Sequence, residues 1–86
     1  MSKLLIVDDD IRLRKLVRTY GEVEHYECDE AADGLAALKK LKDNNFDLVI
    51  LDVMMPGLDG FETLERIRKT SEIPVIMLTA RNEEYD

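Results

Sequence analysis

Tryptophan is absent from this 86-residue sequence, cysteine occurs once, proline twice, and aromatic residues make up only 6%. A lone Cys28 excludes the internal disulfide framework that supports many small secreted domains. Basic residues are in deficit. Twelve Lys and Arg against 19 Asp and Glu leave a formal net charge of -7, which disfavours direct binding to nucleic acid or to an acidic membrane and suits cations, metal-mediated phosphate chemistry or basic partners. No apolar run is long enough to cross a bilayer, and no secretory signal pattern is present. A reducing cytoplasm is the expected compartment. The length admits one small domain with a modest core and no second domain.

Short runs of Leu, Ile and Val stand at Lys3 to Val7, Phe46 to Leu51 and Pro74 to Leu78, as in strands buried on both faces, with a weaker strand at Tyr26 to Ala31. Helical spacing lies between them. Leu13, Leu16, Val17 and Tyr20 share one face, Leu35, Leu38 and Leu41 a second, Phe61, Leu64 and Ile67 a third. Boundary residues agree: Asp9 or Asp10 can cap the first helix, Asp33 or Gly34 opens the second, and Asp59-Gly60 opens the third. Strand and helix therefore alternate, from a first strand to a fourth. Right-handed crossovers then give an α/β fold, a parallel sheet with helices on both faces.

In such sheets ligands gather beyond the carboxyl ends of the strands. Asp8, Asp9 and Asp10 follow the first strand, and Asp52 ends the apolar run Leu48-Val49-Ile50-Leu51. The triple Asp alone is explained equally well by helix capping, since acids favour a helix N-terminus. Asp52 changes the weighing, because carboxylates about 4 Å apart repel by roughly 4 kcal/mol at an intermediate dielectric. A cation resolves that repulsion, and oxygen-only ligands favour Mg2+ or a similar hard divalent ion.

Val7-Asp8-Asp9, then Asp52-Val53-Met54-Met55-Pro56-Gly57-Leu58-Asp59-Gly60, then Leu78-Thr79-Ala80, with Ala32-Asp33-Gly34 in the second loop, resemble the receiver domains of two-component response regulators. The winged-helix transcription-factor subfamily is the nearest match. The resemblance implies a flavodoxin-like sheet of order 2-1-3-4-5. Residues 1–86 would be the N-terminal part of that domain, ending after the fourth strand. The fifth βα unit would then be missing, with its phosphate-pairing lysine and aromatic switch residue. By the same resemblance, Asp52 takes a phosphoryl group from a histidine kinase, Asp9 and Asp52 contact Mg2+ directly, Asp8 binds through water, and the Met54 main-chain carbonyl adds a ligand. The chain would be no enzyme in the ordinary sense, but a phosphoacceptor that assists its own phosphorylation and dephosphorylation and controls a downstream output domain. Phosphoryl transfer needs mainly positioning and charge neutralisation, which fits this set of residues independently.

Thr79 is by itself an ordinary β-branched strand-end residue; the resemblance makes it the hydroxyl that turns to a phosphoryl oxygen. Met55-Pro56-Gly57 reads as a turn that also shapes the site entrance. His25 reads as a surface or capping residue at the end of the first helix, where the family commonly has glycine, and Gly21 weakens the last turn enough that the helix is expected to end early. Cys28 reads as a small buried side chain. Glu62-Arg66 and Glu65-Lys69 have the spacing of solvated i,i+4 pairs, and Arg81, Asn82 and Glu83 are expected to begin another helix. With no fifth strand, the exposed edge of strand four should invite association, including with a second copy. Two rival functions remain: an interaction module that is never phosphorylated, and an aspartyl-nucleophile phosphatase. The second normally carries an acid two residues after its nucleophile, where this chain has Met54.

Overall fold

The computed structural model describes residues 2–78. Its elements are β1 (Lys3–Val7), α1 (Ile11–Val23), β2 (Glu27–Ala31), α2 (Gly34–Asp43), β3 (Leu48–Asp52), α3 (Gly60–Arg68) and β4 (Val75–Leu78). The four strands form one parallel sheet of order β2-β1-β3-β4, the first four places of the flavodoxin-like order. The third strand begins two residues later than its apolar run, at Leu48, and carries Asp52 as its last residue. No helix among the described residues is long and apolar enough to cross a membrane.

Strand alternation divides the apolar residues between two faces. Leu5, Val7, Val49 and Leu51 form one core with Ala31, Ala37 and Met55, joined by Leu41 of α2 and Leu64 of α3. Leu4, Ile6 and Cys28 form the other, with Val17 of α1, Tyr26 and Ile50. Cys28 is buried, as its type suggests. Truncating a fully buried Leu5 or Leu51 to Ala would cost about 2–5 kcal/mol.

Only part of each apolar stripe faces inward, and small residues supply other close contacts. Leu16 and Tyr20 of α1, Leu35 of α2 and Phe61 of α3 are exposed, Phe61 by 62%. Gly34 and Ala37 turn inward on α2, as do Gly60, Thr63 and Ile67 on α3. At Gly34 the start of α2 approaches α3 closely: a Cβ there would run into the Thr63 hydroxyl and lie 3.1 Å from the Leu58 carbonyl oxygen. At the β4 edge, Ile76 is 50% exposed.

The first helix does not end early at Gly21 but continues to Val23. Gly21 is buried, and a Cβ there would stand 2.8 Å from Cys28 Sγ and 3.2 Å from Leu4 Cδ2. Its helix-propensity penalty of about 1 kcal/mol is offset by close packing on β1 and β2. The helix closes in a Schellman turn: the Tyr26 N–H donates to the Gly21 carbonyl at 2.9 Å and the His25 N–H to the Glu22 carbonyl at 3.0 Å. His25 holds the left-handed position of that turn, with φ 70°.

Asp10, rather than Asp9, caps α1, accepting from the Arg12 and Leu13 N–H groups. Asp33 caps α2. Asp59 caps α3 in a reciprocal box with Glu62. The Glu62 carboxylate is thus turned to the Asp59 N–H at 3.0 Å, and among the described residues neither Glu62-Arg66 nor Glu65-Lys69 closes an ion pair. Arg81, Asn82 and Glu83 lie outside the described residues.

Candidate functional site

Parallel register brings the acids together. Val7 of β1 stands opposite Leu51 of β3, so the residues that follow, Asp8 and Asp52, emerge side by side at the carboxyl edge of the sheet. Asp9 joins them at the mouth, and carboxylate oxygens of Asp8, Asp9 and Asp52 all lie within 4.8 Å of one another. Asp52 is 1% exposed and Asp8 is buried, whereas Asp9 is open to solvent.

Asp8 and Asp52 are each held by their own strand-to-helix connection. The Asp8 Oδ1 accepts from the Asp10 N–H at 2.9 Å, and the Asp8 N–H donates to the Ala31 carbonyl of β2 at 3.2 Å. The Met54 N–H donates to Asp52 Oδ1 at 3.3 Å, while the Met54 side chain is exposed. Beyond it the chain turns at Gly57, whose φ of 73° suits glycine. Gly60 then returns to the strand end, its N–H donating to the Val53 carbonyl at 2.9 Å.

Charge is concentrated where water is scarce. Burial pushes the Asp8 carboxyl above its ordinary value; the hydrogen bond from Asp10 opposes this, and the charges of Asp52, Asp9 and Asp10 add to the rise. Two carboxylate charges no more than 4.8 Å apart repel by at least about 3 kcal/mol at an effective dielectric of 20. Asp10 stands apart from this strain: hydrogen bonds from Arg12 and Leu13, with the Arg12 charge, hold its carboxyl below the usual range. Its role is capping. Three convergent hard oxygen donors with no nitrogen or sulfur among them fit a hard divalent cation such as Mg2+.

The structure therefore brings together Asp8, Asp9 and Asp52, the three acids singled out in the sequence, with Met54 adjoining. Thr79 lies outside the described residues. Two further side chains border the site without having been singled out. Arg14 of α1 donates from its guanidinium to the Asp8 carbonyl oxygen at 2.7 Å and to Glu30 of β2 at 2.9 Å. Lys15 and Arg18 also reach Glu30, at 3.1 and 2.9 Å. Burial would raise the Glu30 carboxyl, but the bonds from Arg18, Arg14 and Lys15 bring it down to about 2. Three cations along one helical face opposite a strand acid are the available sequence signal.

Comparison with known proteins places these features in a wider set. The sequence profile of the response regulator receiver domain matches residues 4–86. A transcriptional regulatory protein of Haemophilus influenzae, a CpxR homolog, is 56% identical over 86 residues, covering all of this chain and 37% of that protein. The chain spans little more than a third of the length of the curated relatives it matches. Among solved structures, the response regulator TrrA of Thermotoga maritima in complex with Mg2+-BeF is 44% identical with a TM-score of 0.89, covering 93% of this chain and 70% of that one. TrrA in complex with the histidine kinase ThkA superposes with a TM-score of 0.88 at 41% identity, covering 100% of this chain and 75% of that one.

Proposed function

This chain belongs to the response regulator receiver domain family, and from that premise we propose that Asp52 accepts a phosphoryl group from a histidine kinase at a Mg2+ site formed by Asp8, Asp9, Asp52 and the Met54 main-chain carbonyl. The observation that carries this reading is the convergence of the three carboxylates within 4.8 Å with the buried acid at a strand end. The complexes of its relative TrrA with Mg2+-BeF and with a kinase support the choice of ion and of donor.

An oxygen of the Asp52 carboxylate attacks the phosphorus of a phosphohistidine; the new P–O bond forms as the P–N bond breaks, and the leaving imidazole takes up a proton. Mg2+, when bound, supplies positive charge against the carboxylates and the phosphoryl oxygens. Asp9 and Asp52 would hold the ion directly and Asp8 through water. The Met54 N–H holds Asp52 Oδ1, which fixes the orientation of the nucleophile. Thr79 turns its hydroxyl to a phosphoryl oxygen and so reports the modification.

Residues 1–86 are the N-terminal part of the receiver. The chain assists its own phosphorylation and dephosphorylation in the cytoplasm rather than turning over a separate substrate. The output is a winged-helix DNA-binding domain; the transcriptional regulatory proteins to which the chain is similar support a transcriptional output. Intact mass after incubation with Mg2+ and acetyl phosphate tests the reading. The parent should gain one labile phosphate and Asp52→Asn none; equal gain by both, or none by a folded parent, overturns it.

A further inference from the structure

Arg14 has an unusual position for a cation beside an acidic site, because it bonds none of the three carboxylates. Its side chain is 12% exposed and that of Glu30 is 11% exposed. One guanidinium N–H binds the Asp8 carbonyl oxygen at 2.7 Å, and another binds Glu30 Oε1 at 2.9 Å. The Asp8 carbonyl belongs to the peptide that leads into Asp9. Since the Asp8 N–H is bonded to the Ala31 carbonyl, the main chain around Asp8 is gripped on both sides. Asp9, by contrast, is exposed and its carboxylate accepts no hydrogen bond among the described residues, so the direction in which it leaves β1 rests on the peptide that Arg14 holds.

We infer that Arg14 is a positioning residue for the divalent-cation site, and that Glu30 is the counter-ion that keeps its charge from competing for the carboxylates. Arg14 fixes the Asp8–Asp9 peptide from behind; Glu30 occupies the rest of its guanidinium. A bidentate planar group is needed for this two-directional grip, which the single ammonium of lysine does not reproduce. Removing Glu30 would leave Arg14 uncompensated beside Asp8 and attract it to a carboxylate, while Arg18 keeps Glu22. The inference rests on the proposed Mg2+ site, and concerns affinity for the ion before any phosphoryl transfer.

Arg18 supplies an internal control. It bonds the same Glu30 at 2.9 Å and Glu22 at 3.0 Å, and is bonded to neither Asp8 nor Asp9. Mn2+ affinity, read by electron paramagnetic resonance of free Mn2+, should fall roughly tenfold in Arg14→Gln and in Arg14→Lys, with a comparable fall in Glu30→Gln. Arg18→Gln should stay within about twofold of the parent while losing a similar amount of stability in urea. Arg14→Lys keeps the charge and the aliphatic stem, and secures the test should Arg14→Gln fail to fold. Affinity in folded Arg14→Lys equal to the parent's, or an equal loss in Arg18→Gln, overturns the inference and leaves the proposed function standing. A folded parent that binds no Mn2+ overturns both.

Discussion

Gly60, the first residue of α3, lies so close to the main-chain carbonyl of Asp52 that a Cβ there would penetrate the oxygen, and would stand 2.6 Å from Val53 Cα. The helix thus begins directly on the backbone that carries the candidate acceptor. No other residue type can hold that junction without moving one of the two, which links the third helix to the position of Asp52.

Gly60→Ala should therefore destabilise the fold by about 1–3 kcal/mol through overpacking, despite alanine's better helix propensity. Among molecules that remain folded, phosphate uptake from acetyl phosphate should also slow. Gly57→Ala is the contrast: nothing lies within 4 Å of its position and only the φ of +73° opposes a side chain, a strain of about 1–2 kcal/mol. Urea unfolding and time-resolved intact mass on both variants check the pair. Equal uptake by parent and Gly60→Ala would separate the helix from the site.

Glu30 should stabilise the fold in a defined acid window. Its carboxyl is lowered from 4.5 to about 2 in the folded chain, so the folded state favours the charged form. The stabilisation is complete above the unfolded value and is lost as the pH falls through the folded one, between roughly 4.5 and 2. With one face of the cluster screened by solvent, about 1–2 kcal/mol is expected at neutral pH. Urea midpoints of parent and Glu30→Gln should differ at pH 7 and converge towards pH 2.

Asp8 should behave in the opposite sense. Its carboxyl is raised, chiefly by burial, so ionisation costs stability and the ion-free chain should gain stability from this group as pH falls below the raised value towards 3.8. Asp8→Asn should melt higher than the parent in chelator. Saturating Mg2+ should stabilise the parent by RT ln(1 + [L]/Kd) and the variant by less, narrowing or reversing the gap. Thermal melts with and without Mg2+ measure both effects; a variant that melts lower in chelator contradicts the charge argument.

His25→Gly should stabilise the chain. The residue closes the Schellman turn of α1 at φ 70°, where a side chain costs about 1 kcal/mol and glycine little. The gain should appear in the urea midpoint with phosphate uptake unchanged, since His25 lies outside the candidate site.

Much of this was legible in the sequence, because the strands announce themselves as apolar runs and the acids fall at their ends. Periodicity found the helices and part of what seats them, Val17, Leu41, Leu64 and Ile67, but not the small residues beside these. Leu16, Tyr20, Leu35 and Phe61 look like contact positions but are exposed, whereas Gly21 and Gly60 approach the strands and Gly34 approaches Thr63 of α3, where close contact favours residues with no side chain. For the same reason Gly21 reads as a helix terminator in isolation and proves to be a packing residue against Cys28 and Leu4. Asp8, Asp9 and Asp52 were found because parallel topology joins strand ends. Arg14 and Glu30 were not, since their partnership joins a helix face to a strand and one of its bonds ends on a main-chain carbonyl, which no sequence displays.

The most direct test of the account is to locate the phosphate. An aspartyl phosphate is reduced by borohydride to homoserine, so the chain should be incubated with Mg2+ and acetyl phosphate, reduced, digested and mapped by mass spectrometry. Homoserine is expected at position 52 alone, dependent on both Mg2+ and the donor. Homoserine at Asp8 or Asp9 instead, or a phosphate adduct that persists in Asp52→Asn, would contradict it.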